Sequence, residues 1–214
     1  MKIPLLYPIL DADALSANYA GQNLLQALCA HALALAEAGC TVLQYRAKHI
    51  NPRELLAQAR ELRRLLPSVV LIMNDRADLC LAAGFDGVHV GQDDLSPQSA
   101  RLVVGSGRLV GLSTHNAAQF AQALGEPVDY LAIGPIFATG SKQNPDPVVG
   151  LAGLSEARRL LAASGRDLPL VAIGGITRAN ARGVLQAGAD AVAVIGDISA
   201  SPRESAREFF RLMM

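Results

Sequence analysis

In Gln44-Tyr45-Arg46-Ala47-Lys48 an amide and two cations alternate, so on an extended strand Gln44, Arg46 and Lys48 share one face. On an interior face two cations are costly unless an anion meets them. A diphosphate fits, because the guanidinium fork and the ammonium point charge complement its oxygens. The alternative puts Arg46 and Lys48 beyond the strand end, in solvent. Asn74-Asp75-Arg76 and Gly91-Gln92-Asp93-Asp94 each place a carboxylate just after an apolar run. Carboxylates beside a diphosphate repel it unless a divalent cation stands between them, and a few hard oxygen donors describe Mg²⁺. Taken singly, Asp75 or Asp94 could instead be the N-cap of the next helix.

Further chemistry-bearing residues follow other apolar runs. Ser113-Thr114-His115-Asn116 offers hydroxyls and an imidazole to a ligand, or caps the following helix. His115 reads either as an acid-base group or as a satisfied structural residue. His89, inside an apolar strand, reads as an interior group supporting the site, and His31 and His49 as helix or surface positions. The stretch from Gly134 to Pro147 has too many turn formers to be core and suits a lid, or an inert surface loop. Its Thr139, Ser141 and Lys142 are suited to phosphate oxygens. Gly174-Gly175 and Gly196, after two later apolar runs, can present backbone N–H groups to a phosphomonoester.

Positioning these residues requires short apolar runs that alternate with helical spacing. Strands are predicted at 5–10, 41–45, 69–73, 87–90, 109–112, 130–133, 170–173 and 191–195, and helices near 22–38, 52–66, 76–83, 97–104, 116–124, 151–163, 178–187 and 202–212. Asn51-Pro52, Ser96-Pro97 and Ser201-Pro202 read as helix starts. Gly39, Gly84, Gly125 and Gly188 read as stops with positive φ. Eight apolar strands with crossover helices favour a single α/β domain over 1–214, a closed (β/α)8 TIM barrel, with an open doubly wound sheet as the alternative. Such barrels gather their chemistry at the C-terminal strand ends, where the polar clusters stand.

Composition agrees with one buried core around a small-molecule site. The chain has 214 residues, 51% hydrophobic and 18% charged, and its 19 basic residues cancel 19 acidic ones, which argues against a nucleic-acid or anionic-lipid footprint. Prolines and acidic residues at the start exclude a signal peptide, and no apolar run reaches the length of a membrane span. Cys29, Cys40 and Cys80 read as structural thiols of a reducing cytoplasm. The arginines at 60, 63, 64, 158, 159, 203, 207 and 211 read as solvated helix faces. A homo-oligomer is compatible with the sequence.

Taken in order, Gln44-Tyr45-Arg46-Ala47-Lys48, Asn74-Asp75-Arg76, Gly87-Val88-His89-Val90-Gly91-Gln92-Asp93-Asp94, Gly111-Leu112-Ser113-Thr114-His115, Gly134-Pro135-Ile136-Phe137 with Lys142, and Ala172-Ile173-Gly174-Gly175-Ile176 resemble the thiamine phosphate synthase family over nearly the whole chain. The resemblance implies a cytoplasmic, Mg²⁺-dependent barrel joining a pyrimidine diphosphate to a thiazole phosphate by a dissociative reaction. It assigns Gln44, Arg46, Lys48, Asn74, Ser113 and Lys142 to the pyrimidine diphosphate, with Arg46, Lys48 and Lys142 catalytic, and Asp75 and Asp94 to the metal. Thr139, Ser141, Gly175, Ile195 and Gly196 would hold the thiazole phosphate. The chain departs from the family where Gly196 replaces a serine and Ser141 a threonine. A thiazole tautomerase-like isomerase, or a phosphate-ligand sensor without turnover, are the alternatives.

Overall fold

The strands of this chain are apolar on both faces except near their C-terminal ends, and the computed structural model, which describes residues 3–18, 23–140 and 146–214, shows what each face covers. The strands are β1 (Leu6–Asp11), β2 (Val42–Arg46), β3 (Val70–Asn74), β4 (Gly87–Val90), β5 (Leu109–Thr114), β6 (Tyr130–Ile133), β7 (Leu170–Ile173) and β8 (Ala191–Val194). They pair in sequence order and close into a barrel, with β1 parallel to β8. The helices are α1 (Ala12–Asn18), α2 (Leu24–Glu37), α3 (Pro52–Leu65), α4 (Ala77–Ala83), α5 (Pro97–Val104), α6 (Ala117–Ala123), α7 (Gly150–Ser164), α8 (Ala181–Gln186), α9 (Gly196–Ser199) and α10 (Pro202–Met213).

Side-chain alternation sorts the core into two shells. Outward residues such as Leu10, Leu43, Leu71, Val88, Leu131 and Val192 pack beneath the helices, whereas Tyr7, Ile9, Val42, Ile72, Tyr130, Ala132, Val171, Ala191 and Ala193 fill the lumen. Gly111 faces that lumen for a steric reason: a Cβ there would lie 2.0 Å from Cζ of Tyr130. The same alternation turns Gln44 and Arg46, Asn74, His89 and Ser113 inward toward one end, the mouth.

The local signals hold with a few corrections. Asn51 and Ser96 accept from the backbone N–H groups of Glu54 and Ser99, but Ser201 makes no side-chain cap. Gly39, Gly84 and Gly188 take positive φ (105°, 69° and 119°); Gly125 does not, because α6 ends at Leu124 in the right-handed region. The sequence reading missed the short helices α1 and α9, too brief for a periodic signal. Arg63 and Arg158 are not solvated faces: each reaches an aspartate at the base of the barrel, Asp86 at 2.7 Å and Asp190 at 2.6 Å. His31 is buried between the carbonyls of Ala27 and Ser199, joining α2 to α9. All three cysteines are free, and burial pushes the Cys40 and Cys80 thiols up to about 12. Among the described residues, no helix is long and apolar enough to cross a membrane.

Candidate active site

At the mouth the tips of β1 to β5 bring the expected charges together. Arg46, on the lumen face at the end of β2, pairs with Asp11, which stands opposite it in register at the end of β1. Lys48 lies two residues past the strand, where its Nζ is 2.6 Å from Oδ2 of Asp75 and its backbone N–H donates to Asp13 at 2.7 Å. Asp94 faces the same Asp75 carboxyl within hydrogen-bond reach, while its Oδ2 accepts from the Gly91 N–H at 2.8 Å. Neither Asp75 nor Asp94 caps the next helix: Arg76 occupies the cap position of α4, and Ser96 caps α5.

Asp75 combines backbone strain with crowding. Its φ of 61° lies in the left-handed region, which aspartate tolerates better than most residues, and its N–H donates to the His89 carbonyl at 2.8 Å. Burial is the main cause that raises its carboxyl pKa; Asp94 adds to the rise and Lys48 opposes it. Two carboxyls this close favour the charged state together only when a cation lies between them. The pair supplies hard carboxylate oxygens, the donor type Mg²⁺ takes. Among the described residues no third carboxylate, histidine or cysteine joins them as a ligand group.

Below the charges lies a buried polar chain that motif reading found only in part. Gln44 Nε2 donates to the Tyr7 hydroxyl at 3.1 Å, and the hydroxyls of Tyr7 and Tyr130 are 2.8 Å apart. Nδ1 of His89 is 2.9 Å from the Tyr130 hydroxyl, and its Nε2 is 2.8 Å from Oγ of Ser113. Enclosure pushes the His89 imidazole down to about 4, so the ring is neutral near pH 7. Asn74 sits half-buried at the end of β3, in register with His89.

The opposite side of the mouth is built by the tips of β6, β7 and β8. Ile136 and Phe137 donate from their backbone N–H groups to the carbonyls of Ile173 and Gly174 at 2.9 Å and 3.0 Å. Gly174 and Gly175 have φ of 99° and 63°, and Cβ atoms there would meet Pro135 Cβ at 2.5 Å and Ala138 O at 2.6 Å. These glycines therefore admit the β6–α7 loop, a structural demand beyond the phosphate approach expected of them. Gly196, by contrast, has open space around a Cβ, and Ile195 packs against the lumen residues. Arg178 joins the two tips, donating from Nε to Asp197 at 3.0 Å.

Thr139 is half-buried near the end of the first described part of the loop; Ser141 and Lys142 lie outside the described residues. His115 anchors this loop, with Nδ1 2.7 Å from the Gly134 carbonyl and 3.5 Å from Oδ2 of Asp146. Because a carbonyl only accepts, Nδ1 carries the proton, which spends that nitrogen on the loop. Asn116 is the α6 cap and Thr114 donates to the Ala132 carbonyl, so both are structural. Asp11, Tyr7, Tyr130 and Arg178 were missed. Asp11 follows the apolar run of β1 just as Asp75 follows that of β3, and that signal would have found it.

The family described as "Thiamine monophosphate synthase" matches residues 7–198. The thiamine-phosphate synthase of Koribacter versatilis is 55% identical over 214 residues, covering 100% of this chain and 97% of that protein. That of Chloroflexus aurantiacus is 46% identical over 165 residues, 76% of this chain and 74% of the other. The solved thiamine phosphate pyrophosphorylase from Pyrococcus furiosus superposes with a TM-score of 0.80 at 27% identity, covering 99% of this chain and 96% of its own.

Proposed function

The chain belongs to the thiamine monophosphate synthase family, and from that premise we propose that it condenses 4-amino-2-methyl-5-(diphosphooxymethyl)pyrimidine with a thiazole phosphate, giving thiamine phosphate and diphosphate. It is a transferase of thiamine synthesis. The observation that carries the finer reading is the meeting of Lys48 with Asp75, 2.6 Å apart, beside Asp94 and the paired Arg46, all at one barrel mouth.

The reaction we infer is dissociative. The bond between the pyrimidine methylene and the diphosphate oxygen breaks first, its electron pair leaving with the diphosphate. The pyrimidine-stabilised cation that remains is captured by the lone pair of the thiazole nitrogen. That nitrogen has no proton to lose, so no general base is needed. A neutral His89 with both ring nitrogens engaged supports this.

Arg46 and Lys48, with Lys142 from the β6–α7 loop, bind the departing diphosphate and favour the charge it gains. Gln44 and Asn74 orient the pyrimidine, and Ser113 donates to the diphosphate. Asp75 and Asp94 would hold Mg²⁺, which when bound neutralises charge on the phosphate oxygens. Thr139, Ser141, Gly175, Ile195 and Gly196 would hold the thiazole phosphate, and the loop keeps water from the cation.

Mixing the two substrates with Mg²⁺ should give thiamine phosphate and diphosphate in equal amounts, with turnover suppressed by a chelator. Isomerisation of the thiazole alone would replace this reading with a tautomerase, and binding of both substrates without product would replace it with a sensor.

A further inference from the structure

The polar chain beneath the mouth is continuous, and its first link has a fixed polarity. Gln44 Nε2 donates to the Tyr7 oxygen at 3.1 Å, and the Tyr7 and Tyr130 hydroxyls lie 2.8 Å apart, a contact in which either can be the donor. When Tyr7 donates there, the Tyr130 O–H is left to hydrogen-bond Nδ1 of His89, 2.9 Å away. A neutral imidazole that accepts at Nδ1 carries its proton on Nε2, and that N–H donates to Oγ of Ser113 at 2.8 Å. The serine oxygen is thereby occupied as an acceptor, and its hydroxyl proton is left to donate elsewhere.

We propose that Tyr7, Tyr130 and His89 are positioning residues, a one-way relay that holds Ser113 as a hydrogen-bond donor toward the oxygens of the pyrimidine diphosphate. Phosphate oxygens carry only lone pairs, so a serine with the opposite polarity would set lone pair against lone pair. The relay rests on the substrate reading above, and it explains features that reading leaves idle. Tyr7 and Tyr130 are almost completely buried, and burial pushes the Tyr7 hydroxyl up to about 12, so it stays protonated and able to donate a hydrogen bond. Gly111 leaves the Tyr130 ring its place, and the imidazole of His89 stacks on that ring with centroids 5.4 Å apart. Each link is thus fixed by packing as well as by a hydrogen bond.

Two measurements test it. Nitrogen-15 NMR of the ligand-free wild-type protein, with the His89 signals identified by their loss in His89→Gln, should find Nε2 protonated and Nδ1 bare. A proton on Nδ1 would reverse the relay and overturn the proposal. In the second, Tyr130→Phe and Ser113→Ala should each lower kcat/KM for the pyrimidine diphosphate roughly tenfold, the scale of one hydrogen bond, while KM for the thiazole phosphate stays unchanged. The double variant should be no worse than Ser113→Ala alone, because Tyr130 acts only through the serine. Multiplying losses, or equal losses for both substrates, would make Tyr130 a packing residue and overturn the relay. A wild-type protein without synthase turnover defeats the substrate reading, and the ring-nitrogen spectrum still decides the relay's direction.

Discussion

The two ends of the barrel use aspartate in opposite ways. At the base, Asp86, Asp129 and Asp190 stand just before β4, β6 and β8, and each accepts from a backbone N–H of the preceding strand, those of Leu71, Val110 and Leu170, at 2.7 Å. Each also pairs with an arginine from the helix outside, Arg63, Arg101 or Arg158, at 2.7, 2.5 and 2.6 Å. The device recurs three times, and every carboxylate in it is matched. At the mouth, Asp75 and Asp94 face each other, and the cation beside them, Lys48, pairs with Asp75 through a side chain that is 42% exposed. Charge satisfied within the protein holds a fold together; charge left crowded is available to a ligand.

The largest effect should come from the crowded end. Asp94→Asn keeps an oxygen for the Gly91 N–H but removes the negative charge, and kcat at limiting Mg²⁺ should fall on the order of 10²- to 10³-fold. The thermal midpoint of the metal-free protein should hold or rise, because Asp75 loses a like-charged neighbour. Turnover titrated against Mg²⁺ checks this, and an unaltered metal dependence would strip Asp94 of its assigned role.

The lumen between the two ends should reveal itself through pH. Burial depresses the His89 pKa from 6.5 to about 4, so the unfolded chain takes up a proton that the folded one refuses. Stability from this group is complete above the unfolded value of 6.5 and is lost as pH falls toward 4, on the order of 3 kcal/mol in all. Asp75 acts with the opposite sign: its raised pKa lends stability below the ordinary value of 3.8, and that is lost as pH rises through the folded value. Denaturant midpoints between about pH 7 and about pH 4 should therefore slope downward on acidification in the wild type and less so in His89→Gln, even though that variant is weaker throughout. Parallel slopes would mean the imidazole is not held neutral.

The matched end should answer only in stability. Asp129→Ala strands the Val110 N–H and leaves Arg101 only its carbonyl partners at Gly105, Arg108 and Pro127, and should lower the unfolding free energy by about 1 to 3 kcal/mol, at the lower end because the pair is partly exposed. Its kcat should stay at the wild-type value. An equal loss of turnover would show that base and mouth are not separable.

Much of the mouth was legible because its residues follow one rule: polar side chains gathered at or within a few residues of the end of an apolar run stand near a strand tip. Gln44, Arg46, Asp75, Asp94 and Ser113 all obey it, and period-two alternation turns Gln44, Arg46 and Ser113 inward. The eight-strand count was legible for the same reason. What stayed hidden depends on partners remote in sequence. Arg63 and Asp86 are 23 positions apart and Arg158 and Asp190 are 32, so a helix read by itself shows only a charged face. The Tyr7–Tyr130 contact spans 123 positions, and neither tyrosine stands apart from an ordinary core residue until the barrel closes.

The smallest effect should separate two glycines at the proposed phosphate end. Gly175 has a φ of 63° and no room, since a Cβ would lie 2.6 Å from the Ala138 carbonyl oxygen, whereas a Cβ on Gly196 meets nothing within 4 Å and its φ is not positive. Gly196→Ser, the residue the family resemblance leads one to expect there, should fold with its stability changed by no more than about 0.5 kcal/mol. Its added hydroxyl at the start of α9 should lower KM for the thiazole phosphate by roughly two- to fivefold with kcat unchanged, the gain of one exposed hydrogen bond to an anion. Gly175→Ser should instead disturb the β6–α7 loop through Phe137 and Ala138, and on the proposed function, which gives that loop contacts to both substrates, weaken both. Measured side by side, a neutral Gly175→Ser would contradict the packing described at β7, and a Gly196→Ser that moves neither KM would place the thiazole phosphate away from the tip of β8.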